Sequence, residues 1–368
     1  MMKVPFADLK SQYRSIKEEI NFAIQDVINR SAFVRGEFVE KFEEEYAKAY
    51  SIANCVSCGN GTDALYIALK ALDIGIGDEV ITTSLSWIST SETITQTGAR
   101  VVFADIESDF FTIDPNSMES KISEKTKAII VVHLYGQPAD MDSIMEIADR
   151  HGLAVIEDCA QAHFSRYKGQ LVGTFGVAGT FSFYPGKNLG AYGDAGAIIS
   201  NDMQFSRRAR LFANHGSTSK HQHEIERINS RMDGLQAAIL SVKFSHLAEW
   251  TKRRRALGVL YDSLLKHFSG LNIPRVRDEC DHVYHLYVIR SSQRDHLKSG
   301  LNDIGIETKI HYPIALPFLD AYKYLDHTHD DFPVAFEQQD KILSLPMYAE
   351  LTHQMCKSVV TEIERVST

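Results

Sequence analysis

FSFYPGKNLGAYGDAGAI, residues 181–198, joins an apolar, strand-like start (Phe181-Ser182-Phe183-Tyr184) to a lysine and then to Gly190, Gly193 and Gly196. A lysine attacks carbonyl groups only when its ammonium is desolvated or crowded enough to lose a proton near neutral pH. Lys187 lies where an apolar strand would bury it. The glycines after it are expected to let backbone approach a ligand closely.

Upstream, Ala154-Val155-Ile156 reads as a short buried strand that ends in Glu157-Asp158-Cys159-Ala160-Gln161. Open α/β sheets bind ligands beyond the carboxyl ends of their strands, which places Asp158 at the edge of a site. Earlier still, Leu65, Ala68, Leu69 and Leu72 follow helical spacing, so a helix begins near Gly61 or Thr62. Its free N–H groups suit a phosphate ester. An aspartate for a pyridinium nitrogen, a lysine for an imine and a phosphate turn are the parts of a pyridoxal phosphate site.

The rest of the chain fits an α/β layer. Val80-Ile81-Thr82, Val101-Val102-Phe103, Ala128 to Val132, Ala154 to Ile156 and Thr180 to Phe183 read as strands. Between two of them Met141, Ile144, Met145 and Ala148 form a helical stripe, with Gly152 as its C-terminal cap. This alternation predicts a mainly parallel mixed sheet sandwiched by helices. Near residue 240 the pattern changes. A long helix over about 235–268 leads to a strand in His282–Ile289, a helix over 294–303, a strand near Thr308–His311 and a final helix near Thr352–Val366. The expected division is a large domain, 1–245, with an N-terminal helical segment, and a small C-terminal α/β domain, 246–368.

The 368 residues can bury a substantial core, and a formal net charge of −9 opposes binding to nucleic acid or to an anionic membrane. Small molecules and a second copy of the chain are the expected partners. The start, MMKVPFADLKSQYRSIKEE, has no apolar signal core, which makes the cytoplasm the expected location. Five scattered cysteines make no disulfide framework. Cys55-x-x-Cys58 lacks a second ligand pair and runs into the phosphate turn, so no metal is expected. His215, His221 and His223 read as a solvated loop, and Lys252 to Arg255 as a solvated helix face. Gly75-x-Gly77 lacks the rest of a dinucleotide fingerprint.

Eight segments in order, VPFADL (4–9), GNGTDAL (59–65), TSLSWIST (83–90), HLYGQPADM (133–141), EDCAQAH (157–163), SFYPGKNLGAYGDAG (182–196), NSRMDGLQAAIL (229–240) and IHYPIAL (310–316), resemble the DegT/DnrJ/StrS sugar aminotransferases. These are fold-type-I enzymes of pyridoxal 5'-phosphate, with pyridoxamine phosphate as the intermediate cofactor form. The resemblance implies that Lys187 holds the cofactor covalently and shuttles the proton, and that Asp158 keeps the pyridine nitrogen protonated. It implies further that Gln161 reaches the ring hydroxyl, that Trp87 stacks on the ring, and that Gly61, Thr62 and Ser182 bind the phosphate.

Asn229 matches a residue that reaches the phosphate of the neighbouring subunit, which implies a homodimer with shared active sites. His163, Tyr184, His311 and Tyr312 are candidate substrate contacts. The implied reaction moves an amino group from L-glutamate, leaving 2-oxoglutarate, to a nucleotide-linked keto-sugar, at C-3 rather than C-4, for a surface glycan such as an O-antigen. Related sugar dehydratases carry histidine where Lys187 stands, and a regulatory DNA-binding role is disfavoured by charge. Phe164 after the EDCAQAH histidine and Leu316-Pro317-Phe318-Leu319 after HYP depart from the family pattern.

Overall fold

The computed structural model describes residues 3–367, so residues 1, 2 and 368 at the ends of the two expected domains lie outside it. Short runs, most of them carrying Val or Ile, form the strands β1 (Asn54–Cys58), β2 (Glu79–Thr83), β3 (Arg100–Ala104), β4 (Thr126–Val132), β5 (Ala154–Asp158), β6 (Ala178–Ser182) and β7 (Gly196–Ser200). They make one sheet in the order β1-β7-β6-β5-β4-β2-β3. β7 runs antiparallel to both neighbours, and every other pairing is parallel.

Successive strand residues feed opposite faces. Ile130, Ile156 and Ile198 pack with Leu65 and Leu69 of the Gly61–Ala71 helix, while Ile129, Val131 and Val155 pack with Ile144 and Ile147 of the Met141–His151 helix. Each such side chain, removed from water on a sheet covered on both sides, contributes about 1.5–3 kcal/mol. The helix ends follow local chemistry. Asn60 caps the first helix by accepting from the Asp63 N–H, and Gly152 closes the second at φ 65°.

The smaller unit is an antiparallel sheet of β8 (Leu271–Asn272), β9 (Tyr287–Ser291) and β10 (Ile342–Leu345), in that order, covered by the Arg294–Asp303 and His353–Ser367 helices. The expected boundary at 245/246 falls inside one continuous helix, Gly234–Leu265. The chain also crosses between the units. Val4 pairs with Ile306, and Leu316, Tyr322 and Phe332 pack into the core of the large sheet.

Three local expectations need correction. Strand pairing begins only at Tyr287, because Val283 and Leu286 donate instead to the Gly136 and Tyr135 carbonyls. Residues 308–311 form no strand, only a bridge from Lys309 to Ser344. Arg254 is not part of a solvated face. It is buried and donates to the Tyr284, His285 and Met347 carbonyls, tying the long helix to the small unit.

Two glycines are required by close approach of backbone. At Gly196 an added Cβ would lie 2.3 Å from the Asn60 carbonyl oxygen, and at Gly61 it would lie 2.5 Å from the Ser182 Cβ. The glycines after Lys187 therefore accommodate protein rather than ligand, since Gly190 meets the Pro185 carbonyl and Gly193 the Gln236 amide. Gly196→Ala should lower stability by about 1–3 kcal/mol through overpacking. Gly75→Ala, whose nearest atom is 3.8 Å away, should change it little. Denaturant melts of the two variants, compared with the parent, check this contrast.

Candidate active site

The carboxyl edge of the parallel strands gathers the chemistry. Asp158 ends β5, Ser182 ends β6, and the antiparallel β7 brings Gly196 between Ser182 and Cys58. The Gly59–Gly61 turn therefore comes to lie beside Ser182. Asn60 satisfies the N–H groups of Asp63 and Ala64, and among the described residues those of Gly61 and Thr62 have no protein partner. That leaves a helix N-terminus with a serine hydroxyl beside it, a ready cradle for a phosphate dianion. The Thr62 hydroxyl is 2.7 Å from that of Ser89.

Asp158 is buried, and burial raises its pKa, against the opposing pull of the Ala160 N–H (3.1 Å), the charge of Lys187 and the Thr90 hydroxyl (3.2 Å). Lys187 follows β6 in a tight turn, its N–H donating to the Tyr184 carbonyl at 2.8 Å. Burial pushes its ammonium down to about 8, with Asp158 pulling the other way. The two charges sense one another, yet among the described residues they form no ion pair. A cationic ring nitrogen facing Asp158 would offset the cost of burying that carboxylate.

Trp87, 57% exposed, stands 5.7 Å from the Tyr312 ring at the mouth of the site. Gln161 links the two sides, its Oε1 accepting from the Tyr135 N–H (2.7 Å) and its Nε2 donating to the Tyr312 hydroxyl (3.2 Å). One amide hydrogen remains for a ligand. Tyr135 in turn donates its hydroxyl to the His311 carbonyl. The His311 ring stacks on Phe6 and bonds Ser344 at 2.8 Å, and burial pushes its pKa down to about 4. Tyr184 is exposed beside Lys187.

His163 does not reach the site's open space. It is fully buried, with Nε2 3.0 Å from the Ser182 carbonyl and Nδ1 2.9 Å from the Tyr46 hydroxyl. Since a carbonyl only accepts, Nε2 carries the hydrogen and Nδ1 accepts from Tyr46. Burial holds this imidazole neutral, with a pKa down to about 3. The substrate contact expected of His163 is thus replaced by a support under Ser182.

Asn229 lies on an exposed segment bridged to Asn214. The next residue, Ser230, is buried and ties that segment to the phosphate turn, accepting from the Gly59 N–H and donating to Asp63.

Sequence reasoning missed three contributors. Thr90, one turn after Trp87, holds Asp158. Asn188 donates to the Val283 carbonyl (3.1 Å), which orients its Oδ1 toward His285 Nδ1 (3.3 Å). His285 therefore carries its hydrogen on Nδ1, and its pKa is held well below the usual range by burial first and then by Lys187. No spacing signal marks His285; only adjacency to Lys187 could have drawn attention to Asn188.

His133, Glu157 and Cys159 also converge, all buried. Glu157 already accepts from the Gly173, Phe175 and Gly176 N–H groups and from His133, whose Nδ1 accepts from Ala139. These lone pairs bind the chain itself.

The model of the DegT/DnrJ/EryC1/StrS aminotransferase family matches residues 14–364. The chain belongs to this family. Among its relatives is a protein named as a pleiotropic regulatory protein of Geobacillus stearothermophilus, 46% identical over 98% of each chain. A UDP-N-acetyl-3-dehydro-alpha-D-glucosamine 3-aminotransferase of Acidithiobacillus ferrooxidans is 40% identical over 98% of this chain and 97% of its own. The crystal structure of S. venezuelae DesV, in complex with a ketimine intermediate, superposes over all of both chains with TM-score 0.97 at 39% identity. A Bacillus subtilis relative, at TM-score 0.91 and 30% identity over all of this chain and 85% of its own, is bound to pyridoxamine phosphate. The aminotransferase fold of this chain and its mainly parallel sheet thus agree with the expected fold type I.

In the aminotransferase stripped of cofactor, condensation of Lys187 with an added aromatic aldehyde should quicken as pH rises through about 8 and level off above it, because only the neutral amine attacks. Asp158→Asn removes the charge that favours the ammonium, so the midpoint should move down. Peptide mapping after reduction at a series of pH values checks both.

Proposed function

We propose that this chain is a pyridoxal-phosphate-dependent aminotransferase that takes an amino group from L-glutamate and places it on C-3 of a nucleotide-linked keto-hexose. The observation that carries this reading is the pair beyond the strand ends, a buried Asp158 and a Lys187 whose amine is easily freed, beside a helix N-terminus whose Gly61 and Thr62 N–H groups have no protein partner among the described residues. When bound, the cofactor supplies an electron-accepting ring that stabilises negative charge on the carbon losing its proton.

The protein's own residues do the remaining work. Asp158 holds a proton on the ring nitrogen by its charge. Gly61 and Thr62 N–H groups with the Ser182 hydroxyl hold the phosphate and so fix the ring's position. The Lys187 amine, once free, would accept the proton lost by the donor carbon and deliver it to the carbon on the other side of the bridging nitrogen. Trp87 and Tyr312 cover the ring and exclude water, and Tyr184 and His311 border the space left for the sugar.

Glutamate as donor, the nucleotide sugar and the glycan destination extend the family resemblance to this chain. The 3-aminotransferase name of the Acidithiobacillus relative favours C-3. The regulatory name of the Geobacillus relative does not displace this reading, since the net charge of −9 opposes binding to DNA and Lys187 and Asp158 are both in place. Incubating the protein with glutamate and purified 3-keto and 4-keto nucleotide sugars should give a product with nitrogen at C-3 by NMR. Nitrogen only at C-4, or no amination, refutes the assignment.

The reading includes sites shared across a homodimer through Asn229. Inactive Lys187→Ala and Asn229→Ala subunits, mixed and allowed to exchange, should regain part of the activity, because one site in each mixed dimer then holds both native residues. Mixtures that stay inactive while exchanging subunits contradict it.

A further inference from the structure

A second lysine, this one fully buried, holds the turn that carries Lys187. Lys243, on the Gly234–Leu265 helix, is 1% exposed, and its ammonium donates to the carbonyl of Gly190, three residues after Lys187. The same ammonium sits 5.0 Å from the centre of the Tyr192 ring. Two helical turns earlier, Gln236 accepts from the Tyr192 N–H at 2.9 Å. One face of the long helix thus grips the chain as it leaves the turn. The turn is also closed on itself, by Ala191 N–H to the Phe183 carbonyl (2.7 Å) and Lys187 N–H to the Tyr184 carbonyl (2.8 Å).

An ammonium is a costly way to fill such a place. It has three hydrogens, one carbonyl acceptor and one ring face, and an apolar side chain of similar length would avoid the desolvation penalty. Burial accordingly pushes Lys243 down to about 8, opposed by the charge of Glu350. The two lysines differ in commitment. The Lys243 amine is engaged with Gly190 and closed off from solvent, whereas among the described residues the Lys187 amine has no hydrogen-bond partner.

We propose that Lys243 is a positioning residue for Lys187: by holding the Gly190 carbonyl from below, its ammonium fixes the turn that aims the catalytic amine. This rests on the aminotransferase reading of the site. A turn released at Gly190 keeps its sequence and its cofactor contacts but lets the Lys187 amine wander from the atom it must reach, which lowers turnover more than binding.

The test compares holoenzyme carrying Lys243→Met, which fills the slot without a donor, with Lys243→Arg, which restores a cation. For the glutamate half-reaction, kcat should fall about tenfold in Lys243→Met with KM changed less than about twofold. The pH midpoint of the bound cofactor's absorbance should shift in the same variant, and Lys243→Arg should recover part of both. Parent-like kcat and pH midpoint in Lys243→Met overturn the proposal, as does a lowered melting temperature with kcat intact. If Lys243→Met does not fold, Lys243→Gln, an uncharged donor of shorter reach, takes its place with the same expectations. A parent protein that binds cofactor yet shows no half-reaction would instead refute the aminotransferase reading, so the two failures are distinguishable.

Discussion

Two opposite charges held near each other without touching set the terms for this protein. Asp158 ends β5 and Lys187 sits in the turn that follows the neighbouring parallel strand β6, and each is pushed toward its neutral form by desolvation while the other's charge resists. A direct ion pair would settle both and leave nothing to react. Held apart, the carboxylate stands ready for a cationic ring and the amine stays close to losing its proton.

Keeping them apart requires a stiff frame. Glu157, adjacent to Asp158 but facing the other way, accepts three N–H groups from residues 173–176 and anchors the connection into β6. His163 pins Ser182 from beneath, and Arg254 and Asn188 draw the 283–285 segment of the small unit against the Lys187 turn. The phosphate cradle depends on Gly196 and Gly61, where no side chain can be accommodated. At the rim Trp87 and Tyr184 are exposed. The fold spends its rigidity at the reacting atoms and leaves the substrate side open.

Much of this was legible from residues alone. Branched and apolar runs marked five of the seven strands, helical spacing after Asn60 located the start of the Gly61–Ala71 helix, and Asp158 and Lys187 pointed to the cofactor class. β1 and β7 escaped notice because β1 is a short run of cysteines and small residues, and β7 begins inside the glycine stretch that reads as a loop. The pattern of 282–286 imitated a strand, yet this run is buried almost throughout because its N–H groups and side chains pack against the 135–136 turn. Burial misled in two other places. A histidine in a site motif proved to be a support, and a basic run on a helix contained a buried clamp, because chain neighbours in sequence do not reveal which face another domain will cover.

The central claim is that Lys187, and not the equally depressed Lys243, is the amine that carries the cofactor. Borohydride reduction of the cofactor-loaded protein, followed by peptide mapping, tests it most directly. The account predicts a single adduct on the peptide containing Lys187; an adduct at Lys243, or none in freshly loaded protein, would contradict it.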